Sequence, residues 1–106
     1  MFTAVNIRNA DFKDHRYIYC GRGNKYLPHS PLANPFILKN ESDRALVCEK
    51  YREYFDIKIK EDGPLLQELR RVWLVHKELK DVFLVCYCKP KQCHCDTIAS
   101  FLNSFL

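Results

Sequence analysis

Val82-Phe83-Leu84-Val85-Cys86-Tyr87-Cys88-Lys89-Pro90-Lys91-Gln92-Cys93-His94-Cys95-Asp96 is the stretch on which the fold turns. Its opening residues are apolar without a break, which predicts a strand covered on both faces, as in a mostly parallel α/β sheet. After Asp96, residues Ile98, Phe101, Leu102, Phe105 and Leu106 recur at helical spacing. They predict a final amphipathic helix capped by Asp96 or Thr97. The stretch as a whole holds four of the six cysteines, one of the four histidines and two lysines, most of them in the loop between strand and helix.

Upstream, Asp62-Gly63-Pro64 opens a helix, with proline suited to a first turn. Its buried stripe is Leu65, Leu69, Val72, Trp73, His76 and Leu79, and Lys80-Asp81 ends it. An earlier helix begins near Asn40 or Ser42, either of which can cap it, and carries Val47, Cys48, Tyr51, Tyr54 and Phe55 on one face. The charged segment Asp56 to Asp62 reads as loop. Phe2 to Ile7 and Tyr17 to Cys20 read as two strands. Gly21 to Asn40 has no regular period and carries Pro28, Pro31 and Pro35, so it is a long loop. Its Tyr26, Leu27, Leu32, Phe36 and Ile37 are expected to pack on the body. The prediction is a single α/β domain over residues 1–106. A small, mainly parallel three-stranded sheet is flanked by three helices in a three-layer-like arrangement, in the order β-β-α-α-β-α.

Apolar residues make up 47% of the 106, enough for a core, and the 28% that are charged argue against global disorder. A net charge of +4 permits an anionic ligand but is too thin for the dense basic stripe of most nucleic-acid binders. No apolar run approaches the roughly 18 residues of a membrane helix, and no export signal is legible at the N-terminus. With Cys48 inside a helical pattern and Cys86 ending a strand, the thiols read as buried and reduced. A cytoplasmic location is expected.

Tyr19-Cys20-Gly21-Arg22-Gly23, Ser30-Pro31-Leu32-Ala33-Asn34-Pro35-Phe36, Arg44, Tyr51-Arg52-Glu53-Tyr54, and Cys86-Tyr87-Cys88-Lys89-Pro90 running into Cys93-His94-Cys95-Asp96 stand in a recognisable order. With these motifs the chain resembles a bacterial and phage family known as domain of unknown function 4326. The likeness runs from Tyr17 to Leu102. It implies a small α/β fold and a shared site, and it brings no activity with it. Tyr87 stands where the family usually has Trp. Cys95 stands where a small residue such as Gly or Ala is usual, so no role for Cys95 carries over.

In open α/β sheets ligands bind beyond the carboxyl ends of the strands. Two motifs fall there: Gly21-Arg22-Gly23, and Cys88 to Asp96. The glycines would permit positive φ and close backbone approach, or simply turn the chain. The last helix's N-terminus favours an anion, and Arg22, Lys25, Lys89 and Lys91 lie on the same loops. Tyr19, Tyr26 and Phe36 could stack a base. Asn34, extended before Pro35, either reads a ligand or bonds its own loop. Arg44 reaches an anion or pairs with Glu41. The expected ligand site is Gly21, Arg22, Gly23, Ser30, Asn34, Arg44, Cys88, Lys89, His94 and Asp96.

The thiols admit three readings: structural packing, catalysis, or zinc. Candidate catalytic groups are Cys93, whose place near a helix start favours a thiolate, with His94 and Asp96. Cys86, Cys88, Cys93 and Cys95 spell CxC-x4-CxC, an alternative zinc set, although the usual knuckle is CxxC and no cofactor is favoured. His76 reads as core, and His15 and His29 as loop residues.

Three functions follow as expectations. The first is binding, with or without turnover, of a phosphate-bearing small molecule such as a nucleotide, nucleoside or phosphosugar. The second is a zinc-stabilised module for protein or nucleic acid. The third is a non-catalytic nucleotide sensor or sequestering protein. A small anionic, nucleotide-like partner is expected, nucleic acid is not favoured, and no membrane partner is expected.

Overall fold

A computed structural model describes all of residues 1–106. Strands β1 (Phe2–Asn6) and β2 (Tyr17–Tyr19) are followed by helices α1 (Arg44–Lys58) and α2 (Pro64–Leu79), then strand β3 (Val82–Cys86) and helix α3 (His94–Asn103). Short 3-10 turns at Ile7–Asn9 and Glu41–Asp43 precede the second strand and the first helix. The sheet order is β1-β3-β2, and both pairings are parallel. The most apolar strand therefore sits in the centre, where hydrogen bonds leave on both edges and all its residues but Phe83 are buried.

Register follows from the two-residue side-chain period. Phe2 faces Val82, Ala4 faces Leu84 alongside Ile18, and Asn6 faces Cys86. This face joins the buried side chains of all three helices in one cluster that includes Tyr51, Phe55, Leu69, Val72, Ile98 and Leu102. The other face carries Tyr17 stacked on Phe83, with centroids 4.7 Å apart, and Arg16 over the same ring. The expected three-layer arrangement thus becomes two layers. The central strand is protected on its second face by its neighbours' aromatic rings, which also bury an apolar run.

Element ends differ in instructive places. α1 continues through Ile57 to Lys58, where a loop was expected. Neither Asn40 nor Ser42 caps it, because the 3-10 turn intervenes and Asp43 takes the N-cap position without a side-chain bond. His76, expected in the core, is half-buried at its edge, stacked on Phe2 and in contact with the terminal amine. Leu79, at the last turn of α2, is exposed.

The long loop is anchored at its middle. Leu32 is fully buried, and the Tyr51 hydroxyl, itself at 0% exposure, donates to the Leu32 carbonyl at 2.7 Å. The ring fills the core while its one polar atom is satisfied, which is the condition for burying a tyrosine. Tyr26 and Ile37, at either side of this anchor, stay exposed. No helix is long and apolar enough to cross a membrane.

Candidate functional site

A cleft of about 500 Å³ opens where the carboxyl ends of β2 and β3 meet the starts of α1 and α3. One wall is Tyr19, Gly21 and Arg22. The second is Asn34 and Phe36 from the long loop, and the third is Arg44, Val47 and Cys48 on α1. Cys86, Cys88, Cys93 and His94 form the floor and far side. Of the ten ligand residues predicted, Gly21, Arg22, Asn34, Arg44, Cys88 and His94 line this cleft. Gly23, Ser30, Lys89 and Asp96 act behind it.

The first wall is set by packing. No glycine has positive φ. Gly21 is instead needed because a methyl group there would lie 2.4 Å from the Tyr19 hydroxyl. Gly23 makes room for His29, whose backbone N would be 2.9 Å from a Cβ. The expected positive φ is absent, and both glycines are required by close approach within the chain. The Tyr19 hydroxyl donates to the Arg22 carbonyl at 2.7 Å, and burial with the neighbouring Tyr87 hydroxyl pushes its pKa up to about 12. Asn24 Nδ2 donates to the Tyr87 hydroxyl, which fixes the second ring of the wall.

Arg22 ties two walls together. Its Nε and Nη2 donate to the Asn34 carbonyl at 3.0 and 2.8 Å, and Nη2 also donates to the Phe36 carbonyl. Three of five guanidinium hydrogens are so engaged, and those on Nη1 are left for a ligand. Asn34 bonds its own loop: its Oδ1 accepts from the Phe36 amide at 2.9 Å, and the residue also lines the cleft. Ser30 is buried, with Oγ accepting from the Leu32 amide, so it shapes the loop.

Arg44 pairs with Glu41, one of its two expected partners, through Nε and Nη2. Its Nη1 also donates to the Gln92 carbonyl at 2.8 Å, across 48 residues of sequence. An exposed pair is worth under about 1 kcal/mol, so the second contact matters more: it holds the thiol loop against α1. The Arg44 guanidinium draws Glu41 down to about 2, and Glu41 together with the Cys88 thiol raises Arg44 in turn.

One observation settles kinship. The pattern of the domain of unknown function (DUF4326) matches residues 5–104. The chain belongs to the DUF4326 family. No curated protein and no solved structure matches it.

The loop that carries this DUF4326 member's thiols divides them. Cys93 is the N-cap of α3, and Asp96 completes a capping box by accepting from the Cys93 amide at 3.1 Å. Asp96 is thus the third helical residue rather than the cap itself, and Lys89 neutralises it in a salt bridge. Against the pull of burial, that carboxylate holds Lys89 above its ordinary value. His94 Nε2 lies 2.7 Å from the Cys20 carbonyl, so that nitrogen carries the proton. Burial lowers the His94 pKa, and the neutral ring keeps only Nδ1 as a base. The polar contacts of Nε2 are with the Cys20 carbonyl and, at 3.9 Å, the Cys95 sulfur rather than with Cys93.

Cys86, Cys93 and Cys95 have sulfurs within 4.8 Å of one another, all buried, and this group could hold a metal ion. Cys88 is outside it. β3 ends at Cys86 and the chain turns at once, so the strand alternation that would put Cys86 and Cys88 on one face stops before Cys88. Cys88 instead faces the cleft beside Arg44, the one cysteine of six that is not buried. Cys93, the predicted nucleophile, is 3% exposed, with its sulfur 3.1 Å from that of Cys86. The Cys93 thiol donates to Cys86, which holds Cys86 low and pushes Cys93 up to about 12. Cys95 is raised by its contacts with the Cys20, Cys86 and Cys93 thiols and by burial. Sequence reasoning missed Cys20 as a neighbour of this cluster and Tyr87 as a wall residue. The pairing of Tyr19 with Val85 in β3 was the signal that could have found both.

Proposed function

We propose that the cleft binds a phosphate-bearing small molecule of the nucleotide, nucleoside or phosphosugar class. The observation that carries the reading is the junction itself. Two helix starts, with their partial positive charge, meet the carboxyl ends of parallel strands around one cleft of about 500 Å³. That volume suits a nucleoside-sized ligand. Tyr19, Tyr87 and Phe36 offer ring faces and edges to a planar group. Asn34 Nδ2 offers a donor to a base or sugar, and the free Nη1 of Arg22 suits a phosphate. Because the other cations are already paired, the planar half of the ligand contributes most of the affinity.

A metal ion at Cys86, Cys93 and Cys95 is the cofactor that accompanies this reading, with zinc the element proposed. Closely packed thiols such as Cys86 and Cys93 persist only in a reducing compartment, so we place the protein in the cytoplasm.

A thermal-shift screen over nucleotides, nucleosides and phosphosugars tests the ligand. A ligand at a hundred times its Kd stabilises by about 2.7 kcal/mol, and Arg22→Ala and Asn34→Ala should each weaken that shift. If no compound raises the melting temperature, or both variants respond like the wild type, the reading is wrong. Product analysis on each hit separates turnover from simple binding.

A further inference from the structure

We propose that Cys86, Cys93 and Cys95 hold one zinc ion through three thiolate sulfurs, with its fourth position facing the floor of the cleft. This deepens the metal half of the reading above and rests on it, while standing free of the ligand half.

The first argument is spacing. Zinc about 2.3 Å from each of three sulfurs in a tetrahedron places those sulfurs about 3.8 Å apart. The three Sγ atoms already lie within 4.8 Å of one another. The 3.1 Å contact between Cys86 and Cys93 has to open, and a pair at the 4.8 Å limit has to close, by no more than about 1 Å each.

The second argument is the backbone around the sulfurs. The Asp96 amide donates to the Cys93 sulfur in the capping box of α3. A neutral thiol is a weak acceptor, and an N–H directed at that sulfur stabilises the anion. The donor is fixed by the first turn of α3, so it is in place before any ion arrives. Such outer contacts orient and tune metal ligands.

The third argument is charge. Cys86, Cys93 and Cys95 are 2%, 3% and 0% exposed, and sulfurs buried this close can all ionise only with a cation between them. A divalent ion reduces the set to one net negative charge. A monovalent ion would leave two. Zinc is therefore favoured over copper(I).

Cys86 and Cys93 line the cleft, whereas Cys95 does not. Three protein ligands with the fourth site toward a cleft is the arrangement of a zinc ion that takes water or a ligand atom. The set differs from the CxC-x4-CxC spelling by leaving out Cys88.

The test is metal content by mass spectrometry on protein purified without chelator from zinc-supplemented culture. One zinc per chain is expected. Cys95→Ala introduces the small residue usual in the family, so the fold should survive while zinc retention falls at least tenfold. Cys88→Ser should keep its zinc. Cobalt(II) substitution of the wild type should give thiolate-to-metal charge-transfer absorption that is lost in Cys95→Ala and kept in Cys88→Ser. Less than about 0.1 zinc per chain, unchanged zinc in Cys95→Ala, or copper in place of zinc overturns the proposal. The ligand screen can succeed or fail whichever way this falls.

Discussion

Replacing Gly21 by alanine should destabilise the protein through a single ring. The added methyl would sit 2.4 Å from Oη and 2.5 Å from Cζ of Tyr19. Heavy atoms need about 3.5 Å, so the ring must retreat by about 1 Å. It is held where it is by the 2.7 Å hydrogen bond to the Arg22 carbonyl and by edge contact with Tyr87. Overpacking costs about 1–3 kcal/mol, a lost hydrogen bond about 1 kcal/mol, and alanine's stiffer unfolded chain returns about 0.4–1 kcal/mol. The Tyr19 ring tip is partly exposed and can swing, which favours the low end, a net loss of about 1.5 kcal/mol. For a chain of this size that lowers Tm by about 8 °C. Urea melts of Gly21→Ala, Tyr19→Ala and the double variant form the assay. In the Tyr19→Ala background, Gly21→Ala should cost less than about 0.5 kcal/mol. Gly63→Ala, where a Cβ meets nothing within 4 Å, is the control without a clash: as the N-cap of α2 it should cost about 1 kcal/mol or less, and the same amount with and without the Tyr19 ring. An equal cost of Gly21→Ala with and without the Tyr19 ring would refute the reasoning.

Two further outcomes are expected. Burial holds His94 and His76 below their ordinary pKa of 6.5 in the folded chain. The unfolded chain then protonates first on acidification, so stability is complete above 6.5 and declines as the pH falls through that value. Melts from pH 8 to pH 5 should show the decline, smaller in His76→Gln, and a flat profile would contradict it. Second, iodoacetamide should modify the native protein first at Cys88, the half-buried thiol of the cleft. Peptide mapping should find that fast phase gone in Cys88→Ser, and its survival there would show that another thiol is the accessible one.

The strands and the second and third helices were legible because their signals are local: an apolar run, a proline at a first turn, side chains recurring at helical spacing. The cleft's outline was legible for a different reason, namely that parallel strands put the ends of their following loops together. What remained hidden depends on direction. Arg22 was readable as a cation on a loop, but not that it turns inward to the Asn34 and Phe36 carbonyls. Cys86 and Cys88 look like a pair in the CxC spelling, but the strand ends at Cys86 and the turn after it separates them. Cys20 lies 66 residues from Cys86 in sequence, and only the pairing of β2 with β3 brings its thiol to Cys95. The Gly21 motif was noticed, but a glycine's reason lies in the neighbour that occupies its space.

The strand order has a consequence for how the chain comes to be folded. β1 and β2 never pair with each other, and each takes its only sheet partner from Val82–Cys86. Residues 1–81 alone therefore have no sheet. Docking of this one five-residue strand must align both neighbours, draw the loops into a cleft and bring Cys86 to Cys93 and Cys95. Closure over such long sequence separations is slow. Sheet, cleft and thiol cluster should accordingly form together, when that strand docks.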